Sequence, residues 1–109
     1  MAVKTYSLKE HGNTKLSMNF TVKEFACKDG SDKILIDTAL VDVLQKIRDH
    51  FGKPVIINSA YRSPEHNKKV GGSAGSYHVK GMAADIQIAG VSAVELAYYA
   101  QTITNGVGV

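Results

Sequence analysis

The sequence predicts an α+β domain in which helices pack on a small antiparallel sheet, and three features of the chain predict it. An apolar stripe spaced i, i+4, i+7 follows Asp37. A β-branched run, "VIINSA", follows Lys53-Pro54. Strict alternation over Met82 to Ala89 then precedes a second helical stripe. The order helix, strand, loop, strand, helix gathers helices against a sheet whose strands are joined through one long loop. A length of 109 residues fits a single domain with a real core. Apolar content of 44% with 21% charged residues excludes a disordered chain and a fibrous repeat.

Residues 1–33 alternate short apolar clusters (Tyr6 and Leu8; Phe20, Val22 and Phe25) with polar turns at Gly12-Asn13 and Asp29-Gly30. They read as an irregular segment wrapped on a core formed by residues 34–109. Leu40, Val41, Leu44, Ile47 and Phe51 form the stripe of the first helix, with Asp37 as its cap and Gly52 as its stop. "VIINSA" is a strand buried at its start and turning polar at Asn58. Ser63-Pro64 supplies an N-cap followed by Pro at the first helical position, so "SPEHNKKV" is a short helix stopped at Gly71-Gly72.

Beyond the loop "GGSAGS", the alternation turns Ala84, Ile86 and Ile88 to one face of a strand, and Ala83, Asp85 and Gln87 to the other. Ser92 with Glu95 makes a capping box, and Leu96, Tyr99, Ala100 and Ile103 form the stripe of a last helix ending at Asn105-Gly106. Val107 to Val109 read as the start of a further strand. The expectation is a domain that runs on beyond them in its natural form.

Charge and cysteine usage narrow the partners. The 13 basic and 10 acidic residues leave only +3, and lysines are spread from Lys4 to Lys80, which describes a solvated exterior and not a nucleic-acid surface. The single cysteine, Cys27, permits no intrachain disulfide and reads as a buried, reduced thiol. "MAVKTYSLKEHGN" lacks the apolar core of a secretory signal, and no run approaches the ~18 apolar residues of a membrane span. The expected protein is cytoplasmic as synthesised, with no membrane partner.

The chemistry concentrates in "SAYRSPEHNKKVGGSAGSYHVKGMAADI", Ser59 to Ile86. His78 and Asp85 bracket Gly81, and a turn there folds the imidazole toward the carboxylate. Such a pair is half of a catalytic zinc site, which needs three protein ligands and an open position. On spacing alone a plainer reading competes, with His78 a surface loop residue and Asp85 an acceptor of backbone hydrogen bonds. Arg62 follows a strand exit and presents a fork of donors suited to a carboxylate or a developing oxyanion, although pairing with Glu65 explains it equally well.

"SAYRSPEHN" followed by "SYHVKGMAAD" resembles the zinc-dependent D-Ala-D-Ala carboxypeptidase family, whose signature S-x-H-x-x-G-x-A-x-D is matched by Ser76, His78, Gly81, Ala83 and Asp85. Tyr61, Arg62 and Ser63 match that family's upstream Y-R-S element, and "NFTVKEFACKDG" with the helix from Asp37 resembles phage-type and gut-bacterial members. The resemblance implies a hedgehog/DD-peptidase-like fold and a zinc peptidase acting on peptidoglycan stem peptides, as a carboxypeptidase or an endolysin-like endopeptidase reaching the cell wall if released. By the same resemblance, His78 and Asp85 are zinc ligands, Arg62 stabilises the oxyanion, and Ser76 holds the substrate's carboxylate end.

The family takes its third ligand from an H-x-D or H-x-H element near the C-terminus, and no such element follows Asp85, because His78 is the last histidine. His11, His50, His66 and Cys27 each have ordinary helix, surface or core explanations, as do Glu65 and Glu95 in the first turns of their helices. The chain as written therefore reads as catalytically incomplete. The alternative reading is a non-catalytic cell-wall or protein binding module that retains the peptidase fold.

Overall fold

The first helix of the core is set by its own ends. In the computed structural model, which describes residues 2–104 and 106–109, Asp37 accepts the Ala39 N–H at 2.8 Å at the entrance to helix Thr38–Phe51, and Gly52 closes it with φ 64°. A left-handed residue at that stop suits glycine, which has no side chain to clash. The helix buries Leu40, Val41, Val43, Leu44 and Ile47 and forms the centre of the core with Phe20, Val22, Phe25, Ile34 and Ile36.

In chain order the elements are β1 (Val3–Ser7), α1 (Leu8–His11), β2 (Lys15–Ser17), β3 (Phe20–Thr21), a 3-10 helix (Val22–Phe25), β4 (Lys33–Asp37), α2 (Thr38–Phe51), β5 (Ile56–Ser59), α3 (Pro64–Lys69), β6 (Asp85–Gln87) and α4 (Ala93–Ile103). The α+β class is as expected. The strands form three two-stranded antiparallel sheets, β1–β4, β2–β3 and β5–β6.

Residues 2–33 are more regular than their sequence implies. β1 pairs with β4 from Val3↔Asp37 to Ser7↔Lys33, and α1 starts from a Ser7 cap that accepts the Glu10 N–H. "KILID" alternates around buried Ile34 and Ile36, a strand signal too short to separate from the start of the helix that follows it. The strand over "VIINSA" is found at Ile56–Ser59, but Ile56 is 48% exposed. A two-stranded sheet leaves one face to solvent, so burial alternates there instead of being concentrated at the strand's start.

The alternation over Met82–Ala89 gives a strand only at Asp85–Gln87. Ala83, expected on the polar face, is buried because it bridges in parallel to Gly108. The Gly108 N–H reaches the Met82 carbonyl at 2.8 Å, and the Ala84 N–H reaches the Gly108 carbonyl at 2.9 Å. Of the expected strand start at Val107 to Val109, only Gly108 pairs, as an isolated bridge. α4 starts from a Ser92 cap accepting the Glu95 N–H and ends at Ile103, and the Asn105 half of its expected stop lies outside the described residues.

Candidate functional site

β5 delivers its exit, Ala60 to Ser63, into a knot of hydrogen bonds. Tyr61 N–H donates to the Phe25 carbonyl at 3.1 Å, and Arg62 N–H donates to the His78 carbonyl at 3.1 Å. His78 answers with its ring, whose Nδ1 lies 2.7 Å from the Ala60 carbonyl. A carbonyl only accepts, so Nδ1 carries the hydrogen, and in the neutral ring Nε2 is left as a lone pair. The strand exit and the loop that carries His78 are therefore fixed to each other from both directions. Tyr61 is buried beneath them, and that burial, ahead of the nearby charges, pushes its hydroxyl above the usual value.

The loop approaches this knot through two glycines. Gly81 has φ 76°, and a Cβ there would stand 2.4 Å from the Leu35 carbonyl oxygen of β4. Its own carbonyl accepts the Asp37 N–H at 2.9 Å, so the turn between His78 and Asp85 is pressed onto β4 and the entrance to α2. Gly72 is constrained by a side chain instead, since a Cβ would overlap the Asn67 amide. Asn67 is 3% exposed; its Nδ2 donates to the Ser73 carbonyl at 2.7 Å and its Oδ1 accepts from Arg62 Nη1 at 3.4 Å. It links the glycine loop to the arginine. The sequence carried one sign of it, a polar residue one turn after the Ser63 cap of α3.

Asp85 opens β6 opposite Ser59, where the register of β5 shifts between Ile57 and Ser59. An irregularity of this kind re-aims side chains at a strand end. The Asp85 Oδ2 lies 3.5 Å from His78 Nε2 and 3.7 Å from Arg62 Nη2, with the carboxylate side chain 58% exposed and the imidazole 13% exposed. Three of the residues expected to act together, Arg62, His78 and Asp85, are thus brought together. Ser76 stands on the same loop and accepts the His78 N–H at 3.2 Å, a bond that uses a lone pair and leaves the hydroxyl hydrogen to donate. Arg62 pairs with Asp85 and Asn67, not with Glu65.

A separation of 3.5 Å is long for a hydrogen bond but fits two ligands of one ion. Zinc–nitrogen and zinc–oxygen distances of about 2.0–2.2 Å at a tetrahedral angle place the two ligand atoms about 3.4 Å apart. The Nδ1 bond to the Ala60 carbonyl is the outer contact that holds a ligating imidazole in one tautomer and orientation. Among the described residues no third His, Cys, Asp or Glu completes a group with this pair.

The other histidines and the cysteine are used elsewhere. His11 Nδ1 accepts the Ser7 N–H at 2.9 Å, and His50 stacks on Tyr99 with ring centres 3.8 Å apart. Cys27 and His66 instead converge with Asp29, offering ligand atoms that all lie within 4.8 Å of one another. The Asp29 carboxylate accepts the Ser31 hydroxyl at 2.5 Å and the Ser63 hydroxyl at 2.6 Å. These bonds, with that of Ser31 largest, hold its carboxyl well below the usual range. The sequence suggests ordinary core and helix positions for Cys27 and His66; the structure brings them together with Asp29 in a cluster of their own.

Residues 18–109 match the family model described as Peptidase M15. No curated protein and no solved structure matches the chain. The family match spans most of the sequence, including every residue of the Arg62, His78 and Asp85 cluster, and the chain belongs to the Peptidase M15 family of zinc-dependent peptidases.

Proposed function

We propose that this metallopeptidase domain hydrolyses peptide bonds in peptidoglycan stem peptides, as a D-Ala-D-Ala carboxypeptidase or an endolysin-like endopeptidase, with His78 and Asp85 as two of its zinc ligands. The observation that carries the reading is the facing of His78 Nε2 and Asp85 Oδ2 at 3.5 Å with Arg62 against the same carboxylate. The match of Ser76, His78, Gly81, Ala83 and Asp85 to the D-Ala-D-Ala carboxypeptidase signature supports the substrate class.

Each residue's part follows from its placement. His78 keeps its hydrogen on Nδ1 through Ala60 and offers Nε2. A zinc ion held by His78 Nε2 and Asp85 Oδ2 would supply Lewis acidity beside the scissile bond. Arg62, steadied by Asn67, points its guanidinium at the space beside Asp85, where it binds the scissile carbonyl and stabilises the negative charge that develops on its oxygen. The Ser76 hydroxyl donates to the substrate's carboxylate end.

The test is release of amino groups from purified peptidoglycan and from D-Ala-D-Ala peptides by zinc-loaded protein. Cleavage lost in Arg62→Ala supports the reading, and substrate left intact by the parent protein sinks it. Retention of peptidoglycan without cleavage is the outcome of the second reading, a binding module, which the pairing of only two ligands among the described residues favours.

A further inference from the structure

We infer that Cys27, Asp29 and His66 form a second metal site, for a borderline divalent ion such as zinc or cobalt, separate from the His78–Asp85 pair. The three residues offer sulfur, oxygen and nitrogen within 4.8 Å of one another. That is the spread from which small side-chain movements bring ligands to an ion at 2.0–2.3 Å. A thiolate among the donors selects zinc or cobalt over magnesium and calcium, which take oxygen ligands.

The cluster is built, and one residue builds it. Ser63, 7% exposed, touches all three members. Its N–H donates to Cys27 Sγ at 3.3 Å, its hydroxyl donates to Asp29 Oδ2 at 2.6 Å, and the same oxygen accepts the His66 N–H at 3.1 Å. The turn Cys27–Gly30, closed by the Gly30 N–H on the Cys27 carbonyl at 3.2 Å, carries the thiol and the carboxylate on one side of the α3 entrance. The Ser31 N–H and hydroxyl both bond Asp29 Oδ1, so that oxygen is fixed and the carboxylate faces Ser63 with the other. Cys27 is buried, His66 half-buried and Asp29 exposed, which gives a site with an apolar floor and a solvent side where a water completes the coordination.

The binding step balances simply. The Cys27 S–H bond breaks, its proton passes to solvent, and a sulfur–metal bond forms; no electron is transferred. The Ser63 N–H continues to donate to the sulfur and steadies its negative charge.

The experiment is titration of reduced protein with cobalt(II), read in the near-ultraviolet as the thiolate-to-cobalt charge-transfer band, with zinc added last as competitor. The band should saturate at one cobalt per chain for this site and fall on zinc addition. It should survive in His78→Ala, which breaks the proposed peptidase pair. It should vanish in Cys27→Ser, and the midpoint should rise about tenfold or more in Asp29→Asn and His66→Gln, consistent with the loss of one ligand. Circular dichroism checks each variant's folding, and the two exposed-side variants keep the test decisive should Cys27→Ser fail to fold. Absence of the band in the parent chain, or a midpoint unmoved in both Asp29→Asn and His66→Gln, overturns the site while leaving the peptidase reading intact.

Discussion

Arg62 and Ser63 adjoin in the chain and serve two clusters built in contrasting ways. On the Arg62 side the charged groups face one another across gaps, 3.7 Å to Asp85 and 3.5 Å from Asp85 to His78, and the short hydrogen bonds lie behind them, on Ala60 and Asn67. On the Ser63 side the short bonds run through the cluster itself, 2.6 Å to Asp29 and 3.3 Å to Cys27. A site that must admit substrate needs its reacting groups positioned from outside and uncommitted inside. A site that only holds an ion can be closed around a shared hydroxyl. The difference teaches that one short stretch after a strand can support both designs, because consecutive residues there point to opposite sides.

The largest effect should come from the open side. Arg62→Ala is expected to lower kcat of zinc-loaded protein on stem peptides by about 100-fold or more, the usual result of removing one oxyanion donor, with a smaller change in KM. The same variant should leave the cobalt–thiolate band of the Ser63 side unchanged. A matching loss of that band would show the two clusters to be one unit and would break the comparison.

Helices α2 and α3 and their caps were legible in the sequence because cap, stripe and stop are local signals: Asp37 with Gly52, and Ser63 with Pro64. The β1–β4 pairing was not, because Val3 finds Asp37 across a long stretch of chain and nothing in "VKTYS" specifies that partner. The facing of His78 and Asp85 was legible only as spacing around Gly81, and the family signature sharpened it. Asn67 carried too weak a signal, because a polar residue in a short helix ordinarily points to water, whereas here it is buried under Gly72. Cys27, Asp29 and His66 follow no ligand spacing, since the turn and α3 meet only through tertiary packing.

The next effect is on stability, and it separates two glycines of the site loop. Gly81→Ala combines an unfavourable positive φ with a Cβ 2.4 Å from the Leu35 oxygen, where backbone must move. It should destabilise by about 3 kcal/mol or more, read as a fall in the urea midpoint. Gly71→Ala, at φ 81° with nothing within 4 Å, should cost about 1 kcal/mol from backbone conformation alone. Equal losses would mean that the turn at Gly81 is not pressed onto β4.

Supports behind the two clusters should rank below that. Asn67→Ala removes a buried amide and strands the Ser73 carbonyl, with an expected cost of about 2 kcal/mol in stability. It should also lower kcat more than it raises KM, because Arg62 loses its partner. Ser63→Ala removes the α3 cap at a cost of about 1 kcal/mol and should weaken cobalt binding without moving kcat. If the two readouts exchanged places, the assignment of each support to its own cluster would be wrong.

The smallest effect concerns carboxylates and sharpens the contrast between gapped and committed groups. Asp32, far in role from Asp85, accepts the Lys9 N–H at 2.8 Å and the Ser7 hydroxyl at 2.8 Å, and those bonds, the backbone one first, lower its pKa in the folded protein. A carboxyl with a depressed folded pKa stabilises fully above its unfolded value of about 3.9, and this contribution is lost as pH falls below about 4 toward the folded pKa. Asp32→Asn should therefore lower the urea midpoint at neutral pH, and the difference from the parent protein should shrink as the pH is taken below about 4. Because the group is exposed, added salt should shrink its charge-dependent part at neutral pH as well. A difference that grows with acid would mean that the Lys9 and Ser7 bonds do not favour the ionised form. In that case the distinction between carboxylates held by short hydrogen bonds and Asp85, which faces its partners across gaps, would lose its physical basis.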